Sequence, residues 1–124
     1  MKQIIAFSIF ILSSLFFTGC YYDVVEELYP SNGVVCDTAG VTYSLTVKPI
    51  IDQNCISCHS QASQQGGVVL ETYADVLVFA NSGQLLGSVK HTTGYAAMPQ
   101  GGAKLNDCNI LKIEKWIQDG SPNN

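Results

Sequence analysis

Hydrophobic residues along the chain form one long run near its start and several shorter, periodic stretches after it. Residues 4–17 are almost all apolar. Residues 72–80 place apolar side chains at the spacing of one helix face, namely Tyr73, Val76, Leu77 and Ala80. Residues 47–54 indicate a further short helix, in which Pro49 is tolerated in the first turn. The pattern therefore predicts short helices joined by loops.

The clearest predicted helix covers residues 107–118, close to the end of the sequence. Asn106 is a suitable N-cap, and Asp107 places a negative charge at the positive end of the helix dipole. Gly120 is a natural stop after the last turn. The apolar stripe of this helix consists of Ile110, Ile113, Trp116 and Ile117. We expect the stripe to face the core of an all-α domain.

Two polar, glycine-containing stretches predict loops between the helices. Residues 60–67 form the first loop, and residues 91–102 form the second. Between them, residues 68–70 are expected to be briefly extended, and residues 85–89 are expected to form one or two helical turns. The second loop contains the Met98-Pro99 dipeptide, which bears on the chemistry considered next.

The most informative motif is Cys55-Ile56-Ser57-Cys58-His59, a C-x-x-C-H sequence typical of covalent haem attachment. Two thiols at this spacing can add to the two vinyl groups of one haem, and the adjacent histidine can reach the iron. A C-x-x-C pair alone could also be a redox-active dithiol or half of a zinc site. The chain lacks the βαβ pattern of the first and the second ligand pair of the other. The motif predicts one covalent haem c held by Cys55, Cys58 and His59.

Met98 and His91 are the two candidates for the sixth ligand of the iron. Met98 is the one methionine other than Met1, and it lies in a loop fixed by Pro99. A thioether ligand raises the reduction potential relative to a second imidazole. His91 is the one histidine other than His59, and neutral imidazole also binds haem iron well. We expect Met98 to be the ligand, and His91 stays the alternative that implies a lower potential.

The first 19 residues have the pattern of a secretory leader. One lysine precedes the apolar run, which is short for a membrane span. The sequence Phe17-Thr18-Gly19-Cys20 resembles the lipobox of bacterial lipoproteins, which implies cleavage before Cys20 and lipid on that residue. More than one acyl chain is enough for stable anchoring. We expect a lipoprotein signal peptide over 1–19, a lipid-anchored tether over 20–42 and a folded domain over 43–124.

Charge and motif content narrow the range of functions. The chain has 6 lysines, no arginine and 10 acidic residues, with a formal net charge of −4. Such an acidic protein is a poor candidate for binding nucleic acid. Carboxylate pairs spaced for acid–base catalysis and phosphate-binding glycine motifs are also absent from the sequence. These observations favour a protein partner that presents lysines, and they offer no motif for acid–base catalysis or for phosphate binding.

The sequence has five cysteines, of which three have been given other roles. The two that remain are Cys36 and Cys108. Outside the cytoplasm a leftover pair forms a disulfide more often than it stays as two free thiols. We expect a disulfide that joins the segment before the first helix to the start of the last one.

Residues 43–119 resemble class I cytochromes c. The resemblance lies in the order of a first helix, the C-x-x-C-H motif, a mid-chain helix, Met98-Pro99 and a final helix that carries Trp116. It implies a small all-α domain wrapped around one covalent haem c. The residues that it implies for the haem are the thioether residues Cys55 and Cys58 and the axial ligands His59 and Met98.

The same resemblance implies that the chain is an electron carrier and not an enzyme. It would transfer single electrons between redox partner proteins in a bacterial cell envelope. The lipid on Cys20 would hold it to a membrane, with the domain facing the periplasm or the exterior. A haem enzyme or small-ligand sensor with an open or displaceable sixth site is the alternative, and a docking subunit of a larger oxidoreductase is a third possibility.

Overall fold

The computed structural model describes residues 36–124, and this part of the chain contains helices and loops but no strand. Five α-helices follow one another as α1 (Lys48–Asn54), α2 (Ile56–His59), α3 (Tyr73–Asn81), α4 (Gln84–Lys90) and α5 (Asp107–Gln118). A π-helical turn, Tyr43–Val47, leads into α1, and a 3₁₀ turn, Gln65–Gly67, follows α2. The predicted all-α class is confirmed for the described residues.

The predicted signal peptide, residues 1–19, and most of the predicted tether, residues 20–42, lie outside the described residues. Across residues 36–124, no helix combines the length and the hydrophobicity that crossing a membrane requires. Val41, inside the predicted tether, is buried in the hydrophobic core. Packing therefore starts before Tyr43, the predicted first residue of the domain.

The first helical segment has the predicted position but ends with a break. The Thr42 side chain caps the π-helical turn by accepting a hydrogen bond from the Leu45 N–H at 3.2 Å. Pro49 lies in the first turn of α1, where its missing N–H leaves no bond unmade. Cys55 leaves the α conformation at φ −123° and ψ −39°. The motif that follows therefore forms its own single turn, α2, a break that the sequence pattern did not predict.

Helix α3 begins with a capping box. The Thr72 hydroxyl accepts from the Asp75 N–H, and the Asp75 carboxylate accepts from the Thr72 N–H at 2.9 Å. The hydrogen bonds that Thr72 donates hold the pKa of Asp75 below its usual value. Val76 and Ala80, on the predicted apolar face, are buried. Gly83, at φ +77°, then turns the chain directly into α4.

Helix α5 confirms the sequence prediction at both ends. The Asn106 side chain accepts a hydrogen bond from the Asn109 N–H at 2.8 Å, as an N-cap does. The helix ends at Gln118, shortly before Gly120. The predicted apolar stripe is buried at Ile110, Ile113 and Trp116 and packs partly against the core at Ile117.

Trp116 joins the two ends of the described chain. Its side chain is fully buried, with its ring centroid 5.5 Å from that of Tyr43. The indole N–H donates to the Pro122 carbonyl at 2.9 Å, so the tail after α5 folds back over the ring. The Tyr73 hydroxyl donates to the carbonyl of Ser121 in the same tail at 2.8 Å. One aromatic cluster thus contacts the first turn, α3, α5 and the tail.

Cys36 and Cys108 form a disulfide with a Cα–Cα distance of 5.4 Å. The predicted pairing is therefore confirmed. It joins the start of the described chain to the first turn of α5, across a separation of 72 residues.

We predict that replacing both bridged cysteines, C36S/C108S, lowers the free energy of unfolding by about 4 kcal/mol. The reason is that a crosslink across a long loop removes conformational entropy from the unfolded chain. Urea denaturation followed by circular dichroism measures the change. Dithiothreitol is the control, because it should destabilise the wild type to the same extent and leave the double variant unchanged. A double variant as stable as the oxidised wild type contradicts the prediction.

Candidate functional site

A cavity of about 500 Å³ opens between α2, the segment after it, α3, α4 and the loop that follows α4. This volume lies in the range of small-molecule and cofactor sites. The four residues predicted to hold haem, Cys55, Cys58, His59 and Met98, all line it. The apolar part of the lining includes Val68, Leu70, Phe79, Leu85, Val89 and Leu105.

The His59 ring is oriented by a backbone carbonyl. Its Nδ1 lies 3.3 Å from the carbonyl oxygen of Val68. Because a carbonyl only accepts, Nδ1 carries the proton in this contact, and the lone pair of the neutral ring is on Nε2. Histidines that bind metals commonly have this arrangement, with one ring nitrogen on a carbonyl and the other on the metal. The Leu70 N–H donates to the His59 carbonyl at 2.8 Å, which holds the 68–70 segment beside α2.

The two cysteines of the motif are free thiols and partly buried. Burial, and to a smaller extent the Asp52 carboxylate, raises the pKa of Cys55 to about 11. This thiol is therefore neutral at physiological pH. Cys58 lies within α2, and the Ser57 hydroxyl approaches its sulfur at 3.8 Å.

Among the described residues, the motif has no further side chains beside it that would complete a zinc site. Among residues 36–124, no group of three or more histidine, cysteine, aspartate or glutamate side chains is arranged to hold a metal ion. The cavity lining likewise contains no lysine, aspartate or glutamate. Lys90, at the end of α4, is paired with Glu114 at 2.6 Å. A ligand in the cavity thus meets an uncharged, mainly apolar surface.

The loop that carries Met98 is bonded to α4. The Met98 N–H donates to the Ser88 carbonyl at 3.1 Å, and the Thr92 N–H donates to the Gly87 carbonyl at 2.9 Å. The His91 Nε2 donates to the Met98 carbonyl at 2.9 Å. Met98 is half-buried, whereas His91 is exposed and does not line the cavity. Of the two residues considered as sixth ligand, only Met98 is thus on the cavity wall.

The Tyr95 ring lies against α4 at Gly87, a residue without a side chain. A Cβ atom built on Gly87 would come within 2.5–2.7 Å of three ring atoms of Tyr95. Tyr95 lines the cavity and is 42% exposed. A side chain at Gly87 would displace it.

Sequence reasoning missed two parts of this site. The role of Val68 depends on its carbonyl, which has no signature in the side-chain pattern. Gly87 did carry a signal, because a glycine inside a helical stretch often marks close approach of another group. What approaches it could not be read from the pattern, since Tyr95 reaches it only after the chain has turned back.

Comparisons with protein-family models, with characterised proteins and with solved structures gave no match to this chain. The chemistry of the site is therefore argued from the geometry of its own residues.

We predict that Gly87→Ala destabilises the fold by about 1–2 kcal/mol. Overpacking against the Tyr95 ring outweighs the better helix propensity of alanine. In a Tyr95→Ala background the same substitution should be neutral or stabilising, because the clash is gone. Urea denaturation of the four proteins of this cycle measures both effects. Equal destabilisation in both backgrounds would show that the ring does not pack on Gly87.

We also predict that, in the folded haem-free protein with the Cys36–Cys108 disulfide intact and both motif cysteines as thiols, Cys55 reacts with iodoacetamide at pH 8 about a hundredfold more slowly than in urea. A raised pKa reduces the fraction of thiolate, the reactive form, at any pH below it. The rate should therefore increase with pH up to about 11. Asp52→Asn should accelerate the reaction modestly, because the carboxylate is the smaller cause of the shift. Mass spectrometry of labelled peptides gives the rates, and equal rates in buffer and in urea contradict the prediction.

Proposed function

We propose that this chain is a monohaem c-type cytochrome that carries single electrons. The observation that supports the proposal most directly is the common cavity of Cys55, Cys58, His59 and Met98. These residues are separated by as many as 43 positions, and only two thiols and one imidazole belong to a single motif. Their presence in the lining of one cavity, with the Nδ1 of His59 already on a carbonyl, fits a covalent haem whose iron is held by His59 and Met98.

Each residue has a distinct part in holding the group. The Cys55 and Cys58 sulfurs would form the thioether bonds, and the His59 Nε2 and the Met98 sulfur would be the axial ligands. When bound, haem supplies an iron that accepts and releases one electron. Methionine as the second axial ligand favours the reduced form relative to a second histidine.

The other residues of the site would exclude water from the cofactor and keep its ligands in place. Apolar side chains from the segment after α2, from α3 and α4, and from Leu105 line the cavity, and the lining contains no lysine, aspartate or glutamate. The hydrogen bonds from the loop to α4 hold Met98 in place. If His59 and Met98 both hold the iron, the chain would leave no open coordination position for a substrate, which favours an electron carrier over an enzyme.

The location proposed for this carrier is the bacterial cell envelope. The proposal rests on the leader over residues 1–19 and on the lipobox-like residues that end at Cys20. The Cys36–Cys108 disulfide supports a non-cytoplasmic location, since such bonds persist in oxidising compartments. Its partners would be other redox proteins of the envelope.

We predict that the protein, produced in a host that attaches haem c, has a low-spin visible spectrum with the weak far-red band of methionine-ligated ferric haem. Met98→Ala should abolish that band and lower the reduction potential, because the thioether ligand is lost. His91→Ala should keep a low-spin spectrum, because His91 does not line the cavity. Absorption spectroscopy with redox titration measures both changes.

Two results would contradict the proposed function. A wild-type spectrum that is high-spin, with rapid carbon monoxide binding after reduction, would indicate an open iron and favour the enzyme or sensor. A far-red band that persists in Met98→Ala would show that another residue is the sixth ligand.

A further inference from the structure

His91 ends α4 in a conformation that its side chain does not favour. Its φ of +58° and ψ of +39° lie in the left-handed region, where helix ends usually carry glycine or asparagine. A Cβ atom makes this conformation less favourable than it is for glycine, which raises the question of what the side chain of His91 contacts. The backbone N–H of His91 bonds to the Gly87 and Ser88 carbonyls, so the cap itself needs no imidazole.

The imidazole of His91 contacts the backbone of Met98. Its Nε2 donates to the Met98 carbonyl at 2.9 Å, and the two residues are seven positions apart in the sequence. The N–H of Met98 donates to Ser88 at 3.1 Å. Both backbone polar groups of Met98 are thus bonded, one to a main-chain group of α4 and one to the side chain that ends α4.

We propose that His91 is the positioning residue of Met98: its ring holds the peptide that carries the sixth ligand. This inference rests on the proposed function, because it concerns a ligand to haem iron. The left-handed conformation of His91 turns the chain back along α4. The imidazole then bonds the returning loop to the end of that helix. His91 has no bond to the iron in this account, and it acts through Met98.

The contact makes the sixth ligand slow to leave. Without the imidazole, the bond from Met98 to Ser88 still docks the loop, so loss of His91 weakens the arrangement and does not abolish it. One ordinary hydrogen bond corresponds to a change of about five- to tenfold in the fraction of time that Met98 is off the iron. The fold as a whole should not suffer, because glycine is the preferred residue at this φ.

The test compares His91→Gly with His91→Gln in the haem-loaded full chain. Glutamine places an amide N–H at the same number of bonds from Cα as the Nε2 of histidine, so it can restore the donor. Lys104→Ala is the control, because this exposed side chain forms an ion pair with Asp107 at 3.6 Å and does not line the cavity. The measurements are the rate of cyanide binding to the ferric protein, the intensity of the far-red band, and hydrogen exchange at the Met98 amide.

In His91→Gly we expect cyanide binding and Met98 amide exchange to be about five- to tenfold faster, with a urea midpoint at or above that of the wild type. His91→Gln should stay within about twofold of the wild type in both rates. Rates in His91→Gly equal to those of the wild type overturn the inference. Equal acceleration in the glycine and glutamine variants also overturns it, since the donor would then not be the cause.

Failure of the proposed function gives a different result. A wild-type protein without the far-red band refutes methionine ligation, whatever the His91 variants do. In a protein whose Met98 does not bind iron, exchange of the Met98 amide is governed by the contacts of its peptide with Ser88 and His91. It still reports whether His91 holds this peptide.

Discussion

The burial of Trp116 is the interaction on which the other features depend. This one side chain is fully buried beside Tyr43 of the first turn, and its N–H binds the tail that follows α5. The aromatic contact brings the first and last helical segments together, as large buried rings do in small domains. Since α1 leads directly into the C-x-x-C-H turn, the same packing fixes where that motif lies. The disulfide of Cys36 with Cys108 adds a covalent link to the first turn of α5.

In this short chain, hydrogen bonds to the backbone hold the residues that line the cavity. Here the His59 ring is oriented by the Val68 carbonyl, and the Met98 peptide is held by Ser88 and His91. Each of these supporting contacts is made between groups of the chain itself. The uncharged lining then suits a large apolar cofactor with its own reactive centre, as the proposed function requires.

The helices that follow a regular apolar period could be predicted from the sequence, and the contacts that shape the site could not. Helix α5 has its stripe, its Asn106 cap and its end where periodicity and capping rules put them. The break at Cys55 has no signal, because neither glycine nor proline marks it. The left-handed turn at His91 is hidden for the same reason, and with it the contact to Met98. The motif identified Cys55, Cys58 and His59, and the later loop offered Met98, but only the fold shows that the four line one cavity.

The most direct test of the central claim, covalent haem in this cavity, is the intact mass of the protein produced with a haem c maturation system. The account predicts the mass of the chain plus one haem, with the addition confined to the peptide that contains Cys55 and Cys58. C55S/C58S should carry no haem, whereas C36S/C108S should carry one. A wild-type protein that emerges from such a host with both motif cysteines unmodified would contradict the account.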